Sequence, residues 1–431
     1  MKENIKSKVK SIDIKNSLII ILCLYFFSFS ACGQGTQAAV VPDTKMAEST
    51  VFVEDESSIE NREYVVNEEQ LENTEITQVL EPEPPTIEII MVGDMLMHTK
   101  VVEKGLQQDG SYNFDFLFEN VLDEIGEADI ALVNQETILG GKELGLSGYP
   151  RFNSPYEVGD ALVKAGFDVI LHATNHALDK DKDGLLNCIN FWEENYPEVS
   201  YLGIYADQEA RENNIYLYRQ GDITIAILNY TYSTNGISTP VDMPYAVNYL
   251  DEDQVIEDIQ KANELADFVI VCPHWGTEYK LDISKSQEKW TEIFLENGVD
   301  LVLGTHPHVI EPVEWVADED GNSMLVYYSL GNFVNGTSGT GSGVANRMVG
   351  GMAQVSLARD QDGDVVIQSY DAIPLVCHWS EEEITTYFLS DYTEEMAEQN
   401  GILQQDPEFS LQGCKELVME VWGTDWKGYE K

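Results

Sequence analysis

The chain has 431 residues, 76 acidic against 25 basic, for a formal net charge of −51 and a pI near 4.1. Long-range repulsion from such a polyanion excludes nucleic acid as an expected partner and leaves no electrostatic pull toward anionic lipid. With 43% hydrophobic and 10% aromatic residues, the chain still has enough apolar side chains for one large core or two modest ones.

The first residues run against this charge. Lys2, Lys6, Lys8, Lys10 and Lys15 precede an apolar run of 14 residues from Ser17 to Ser30, shorter than the roughly 20 that span a bilayer as a helix. Residues 1–31 therefore read as an export signal. The run ends in Phe29-Ser30-Ala31-Cys32-Gly33, which resembles a bacterial lipobox with Phe29 where leucine is usual. Cys32 is then the expected lipid attachment site, anchoring the protein at the extracellular face of the cell membrane. Within residues 32–86, the stretch from Gly33 to Thr86 holds 13 acidic residues, with only Lys45 and Arg62 as counter-charges, and closes on Glu81-Pro82-Glu83-Pro84-Pro85. Self-repulsion and the absence of any sustained period predict an extended tether.

From Ile87 onward 61 acidic residues face 18 basic ones, a net of −43. Cys188, Cys272, Cys377 and Cys414 are too sparse for a disulfide framework and read as buried thiols, with a single bridge left open. Five apolar runs share one grammar, each ending in polar, ligand-capable residues. Ile87 to Val92 leads into Gly93-Asp94, Ala128 to Val133 into Asn134-Gln135-Glu136, and Phe167 to Leu171 into His172-Ala173-Thr174-Asn175-His176. Ala266 to Val271 leads into Cys272-Pro273-His274, and Val299 to Leu303 into Gly304-Thr305-His306-Pro307-His308. Amphipathic stretches between them, Phe116 to Glu127, Glu157 to Ala165, Gly184 to Tyr196, Asp251 to Leu265 and Ser286 to Asn297, predict helices.

Apolar strands alternating with helices imply an α/β fold with both sheet faces covered and its site beyond the carboxyl ends of the strands. Hairpin-like sequence at Ile215 to Arg219 with Ile223 to Tyr230, and at Met352 to Leu357 with Val365 to Tyr370, adds antiparallel strands and points to a two-sheet sandwich. The domain is expected over residues 87–375. The remainder, 376–431, reads as a helical cap with patterns at Ile384 to Asn400 and Phe409 to Trp422.

Six of the seven histidines, His98, His172, His176, His274, His306 and His308, lie on or just after these strand ends. With Asp94, Glu136 and Asn175 they offer nitrogen and oxygen ligands without thiolate, a set suited to one or two divalent ions such as Mn, Fe or Zn. His172 falls on the opposite pleat and reads as structural, and Trp275 as core.

The ordered motifs Val92-Gly93-Asp94, Asn134-Gln135-Glu136, Ala173 to Asp179, His274-Trp275-Gly276-Thr277-Glu278, Gly304 to His308 and Ser329 to Phe333 resemble the poly-γ-glutamate capsule synthesis protein family (CapA/PgsA type), itself similar to the calcineurin-like metallophosphoesterases. The resemblance runs from Ile87 to Pro374 and implies an αββα four-layer sandwich. It implies Asp94, Glu136, Asn175, His274, His306 and His308 as metal ligands, Glu136 standing where a bridging aspartate is usual. His176 would face the substrate as a catalytic residue, and Glu278 would act as acid, base or substrate contact, or else as a carboxylate at a helix N-terminus. Asp179 reads as a cap of the Asn175-His176 turn. The parent motif Asp-x-His is not kept, because Met95-Leu96 follow Asp94 and the nearest histidine is His98.

Two functions follow from these residues, and the ligand cluster argues against a third, a plain surface binding module, because burying so many titratable groups without metal would be costly. One is an extracellular metal-dependent hydrolase of phosphoester or γ-glutamyl bonds. The other is a non-catalytic factor in synthesis, export or anchoring of an anionic surface polymer, working with the polymer or its membrane synthase. Either partner must be recruited against the domain's own field, by bound cations or by Lys100, Lys104, Lys142, Arg151 and Arg347 near the site loops.

Overall fold

Alternation along the apolar strands decides how the layers stack. The computed structural model describes residues 86–423 apart from Asn214 and Ser342; the expected signal, Cys32 and the tether up to Pro85 lie outside the described residues. Strands in chain order are β1 (Ile87–Leu96), β2 (Ile130–Asn134), β3 (Val169–Leu171), β4 (Ser200–Leu202), β5 (Tyr216–Gln220), β6 (Ile223–Thr231), β7 (Phe268–His274), β8 (Leu301–Leu303), β9 (Val313–Ala317), β10 (Ser323–Tyr327), β11 (Asn332–Asn335), β12 (Val349–Arg359), β13 (Val365–Trp379) and β14 (Ile384–Phe388). Helices are α1 (Thr99–Gly105), α2 (Leu122–Glu127), α3 (Glu157–Ala165), α4 (Asp181–Asn195), α5 (Gln208–Glu212), α6 (Glu252–Leu265), α7 (Lys285–Glu296), α8 (Glu394–Gln399) and α9 (Leu411–Trp422).

Two sheets form, one ordered β14-β13-β12-β1-β2-β3-β4 with β11 paired to β1, the other β5-β6-β7-β8-β10-β9. Odd positions of β1, Ile87, Ile89 and Met91, face Ile223, Ile225 and Ile227 of β6 and Phe268, Ile270 and Cys272 of β7 in a core between the sheets. Even positions, Ile90 and Val92, turn outward to Val158 and Leu162 of α3 and Leu185 and Ile189 of α4. On the other sheet Ala226, Leu228, Val269 and Val271 pack on Val255 and Ile259 of α6 and Phe294 of α7. These three apolar layers make the expected four-layer αββα sandwich, each fully buried side chain contributing about 1.5 to 3 kcal/mol.

An aspartate before four of the parallel strands aligns each with its neighbour. Asp129, Asp168, Asp267 and Asp300 accept the backbone N–H groups of Glu88, Ala131, Thr224 and Val269 at 2.7 to 2.9 Å. Part of the acidity thus serves sheet register. Burial raises the Asp300 carboxyl to about 6.

Two expectations are corrected. Phe116 to Glu127 is not one helix but a short 3-10 turn, Asp115–Leu117, followed by α2. The helical pattern from Ile384 begins instead as β14, which pairs antiparallel with β13 and places Ile384 and Phe388 in the large core. Its β-branched and aromatic run Ile-Thr-Thr-Tyr-Phe is strand sequence once a neighbour is available. Asn332 opens β11 after the turn at Gly331, whose φ is +63°.

Candidate metal centre

Parallel β1, β2 and β3 of one sheet and β7 and β8 of the other deliver their carboxyl ends to one place. Asp94 sits at a register shift in β1, between its pairing with β2 and its pairing with β11. Gly93 makes this possible: a Cβ there would overlap the Gly331 carbonyl oxygen and lie 2.9 Å from its carbon, so only glycine lets the strands approach. The Asp94 N–H donates to that oxygen at 2.9 Å. The irregularity re-aims Asp94 across the seam between the sheets.

There the Asp94 Oδ2 meets His308 Nδ1 at 3.0 Å and accepts from the His306 N–H at 3.3 Å. Its Oδ1 accepts from Asn134 Nδ2 at 2.7 Å. His274 Nε2 lies 3.0 Å from Asn175 Oδ1, while its Nδ1 lies 3.0 Å from Thr305 Oγ1. Glu136 is at the centre: its Oε1 is 3.6 Å from His308 Nε2, 3.8 Å from His274 Nε2 and 3.9 Å from His176 Nε2. His306 and His308 hold φ of 102° and 59°, left-handed conformations that cost about 1 to 3 kcal/mol each for non-glycine residues and cluster at functional sites.

Both Glu136 oxygens and His306 Nδ1 are buried without a hydrogen-bond partner. An orphaned buried carboxylate is costly unless a cation completes it. Donor atoms sharing one ion at about 2.1 Å lie roughly 3.0 to 4.2 Å apart, the range that separates Glu136 from its imidazoles. The groups Glu136–His274–His306, Asp94–Glu136–His308 and Glu278–His306–His308 each gather three ligand atoms within 4.8 Å of one another. Glu136 belongs to two of them. The donor set is hard-to-borderline nitrogen and oxygen, which fits divalent ions.

Electrostatics favour the ligating form of two imidazoles. Burial, followed by repulsion from neighbouring imidazoles, pushes His274 and His306 well below the usual histidine range, leaving them neutral and able to donate a lone pair. Burial also raises Glu136 well above the usual carboxylate range, with Asp94 adding to the shift and His308 opposing it. For His308 burial favours the neutral form, but Glu136 and Asp94 overcome it and lift the group to about 9.

His176 and Asp179 form a dyad, Nδ1 to Oδ2 at 2.6 Å, and the Phe152 N–H donates to the same oxygen at 2.6 Å. Asp179 accepts a hydrogen bond from Nδ1–H, so the Nε2 facing Glu136 is the nitrogen left for chemistry. Glu278 is exposed on a turn ahead of α7 rather than at a helix N-terminus, and it faces His306 and His308. His98 is not drawn into the ligand groups found among the described residues: it packs edge-on against Phe152 at 5.3 Å and lines the adjoining cleft. His172 accepts from Trp192 Nε1 at 2.9 Å in the helix-side core, and Trp275 is fully buried, its Nε1 donating to the Tyr328 carbonyl. Cys188, Cys272, Cys377 and Cys414 are buried free thiols.

Sequence reasoning gave no role to Asn134 or Thr305, which orient Asp94 and His274, although both lie inside quoted motifs. Asn332 supports the loop of His308, its Nδ2 donating to the His308 carbonyl at 3.1 Å. A cleft of about 240 Å³ opens beside the cluster, walled by Tyr149, Phe152, Tyr279, His176 and Arg347. Tyr149, Phe152 and Tyr279 carry no motif signal.

Comparison with known proteins follows the same residues. The chain is 30% identical over 252 residues to the PGA biosynthesis protein CapA of Bacillus subtilis (strain 168), covering 56% of this chain and 62% of that protein. It is 27% identical over 275 residues to the capsule biosynthesis protein CapA of Bacillus anthracis, covering 60% and 62%. The chain thus spans under two thirds of either relative. Among solved structures, the NAD nucleotidase of Haemophilus influenzae aligns at 13% identity and TM-score 0.43 over 70% of this chain and 60% of that one. The 5'-nucleotidase precursor of Thermus thermophilus aligns at 14% and 0.42 over 68% and 54%. The model of the bacterial capsule synthesis protein family PGA_cap matches residues 88–337, which contain every proposed metal ligand, and the chain belongs to that family.

Proposed function

We propose that the chain is a lipid-anchored, divalent-metal-dependent hydrolase at the extracellular face of the cell membrane, serving the synthesis, export or anchoring of poly-γ-glutamate or a related anionic polymer. The observation that supports this most is Glu136, a buried carboxylate with no hydrogen-bond donor, surrounded by three imidazoles at 3.6 to 3.9 Å. Asp94, Glu136, Asn175, His274, His306 and His308 hold the metal, and Cys32 supplies the anchor. When bound, divalent ions supply Lewis-acid polarisation of the scissile group and a nucleophile at neutral pH.

The chain's own residues do the rest. Asn134 and Thr305 hold Asp94 and His274 in one orientation. His176, its Nδ1–H hydrogen-bonded to Asp179, presents Nε2 to the reacting group, and when that nitrogen also carries a proton it gives it to the leaving atom. Glu278, at the exposed mouth, contacts substrate.

The test is metal analysis of the full-length protein coupled to a hydrolysis screen with phosphomonoester, phosphodiester and γ-glutamyl substrates. Bound metal and turnover that EDTA abolishes are expected. Undiminished turnover after complete metal removal would sink the reading, and metal binding without turnover on any substrate would replace it with the non-catalytic assembly role.

A further inference from the structure

We propose that Arg347, held between Tyr279 and Thr337, is an oxyanion receptor at the cleft, so that the ligand carries a carboxylate or phosphate beside the group it presents to the Glu136 cluster. The inference deepens the hydrolase reading by naming a recognition group, and it needs only binding, not turnover.

Among the described residues, Arg347 is the one lysine or arginine lining this cleft. Its guanidinium lies over the Tyr279 ring at 3.5 Å, and that ring is 5.9 Å from the His308 ring. The cation therefore sits one aromatic ring away from a proposed metal ligand. Tyr279 has φ of 64°, so a strained backbone holds the stacking surface. Nη1 donates to Thr337 Oγ1 at 3.2 Å, whereas Nε is buried with no partner.

In so acidic a domain the missing counter-ion is informative. Arg151, Arg211 and Arg359 each pair with an aspartate, while the half-buried Arg347, like the exposed Arg219 on β5, makes no ion pair among the described residues. A stacked, half-buried guanidinium with open donors matches a planar oxyanion, which its fork binds in a bidentate way.

The position is built rather than incidental. The Arg347 carbonyl accepts from Asn332 Nδ2 at 2.9 Å and Asn335 Nδ2 at 3.2 Å, and the same Asn332 amide donates to the His308 carbonyl. One asparagine thus ties the arginine to the metal-site loop. Gly339 lets the neighbouring loop close on the guanidinium, since a Cβ there would lie 2.8 Å from Nη1. Tyr149 and Phe152 add apolar walls suited to methylene spacers between charged groups.

Calorimetric titration of the metal-loaded, full-length protein tests this with three probes: a short oligo-γ-glutamate, the same peptide with its carboxylates methylated, and inorganic phosphate. The parent should prefer an anionic probe to the methylated peptide, and the better of the two anions identifies the source of the oxyanion. Arg347→Met should weaken the preferred anion about 10- to 100-fold, as expected for loss of a charge-assisted contact, with the methylated peptide and metal content unchanged. Arg347→Lys should recover part of the affinity, because charge returns without the fork, and Gly339→Ala should weaken anion binding by displacing the guanidinium. Equal affinity in parent and Arg347→Met overturns the proposal, as does a parent that does not distinguish charged from methylated peptide. Loss of metal in both Arg347 variants also overturns it, since the arginine would then act only through His308. Absence of turnover in the parent bears on the hydrolase reading alone.

Discussion

Glu136→Gln keeps the side chain's shape and removes its charge, and the structure predicts opposite effects with and without metal. In the metal-free protein the carboxylate is buried without a donor, and burial raises its pKa well above the ordinary range. Neutralising it is expected to leave the metal-free protein at least as stable as the parent, with a gain of up to roughly 1 to 3 kcal/mol, the usual cost of an unsatisfied buried group. With metal the sign reverses. Metal at 100 times its Kd stabilises the folded state by about 2.7 kcal/mol, and a 100-fold weaker site retains only about 0.4 kcal/mol. At about 2 °C per kcal/mol for a domain of this size, a metal-induced rise in Tm of about 5 °C should shrink to about 1 °C. Differential scanning calorimetry at matched metal concentrations, with an EDTA control, reads both effects. An undiminished metal-induced rise in the variant would refute Glu136 as a ligand, and a less stable metal-free variant would refute the account of its orphaned charge.

Two further predictions concern the scaffold. Glu311 is fully buried, one oxygen unpartnered and the other accepting from Gln287, and burial lifts its carboxyl to about 8. The folded state therefore binds a proton that the unfolded chain has released, so stability should fall as pH rises from about 4.5 to 8, by at most about 5 kcal/mol. Urea midpoints at pH 5 and pH 8 should show that fall in the parent and much less of it in Glu311→Gln; equal slopes would count against the burial argument. Gly93→Ala drives a methyl group into the Gly331 carbonyl and to 3.0 Å from the Leu330 oxygen, both backbone. It should cost about 2 to 4 kcal/mol from overpacking and a weakened strand contact and reduce metal content by displacing Asp94. A variant with parental Tm and metal content would show that β1 and β11 tolerate separation.

Much of this protein is legible in its sequence. The near-continuous apolar runs Ile87 to Val92 and Phe268 to Cys272 announced strands covered on both faces, and the fold divides their side chains between an inter-sheet core and a helix-facing core, because successive residues of a strand point to opposite faces. Polar residues ending five apolar runs pointed to the candidate site, since parallel strands joined by helices bring their carboxyl ends to the same side. Less legible were choices that depend on a partner. Ile384 to Phe388 suits a helix or a strand in isolation, and only the open edge of β13 selects the strand. Glu278 has a helix-like sequence context yet lies on a turn.

The sequence by itself determined the charge, the strand and helix alternation of the sandwich, and the set of residues able to bind metal. Tertiary structure decided which of them meet. It brought Asp94 of one sheet against His308 of the other and left Glu136 among three imidazoles. It also moved His98 to the cleft and stacked Arg347 on Tyr279. The physical reason is that ligation and ion pairing depend on distances of a few ångströms between segments far apart in the chain, set by sheet register, close glycine approach and burial, which no local pattern encodes.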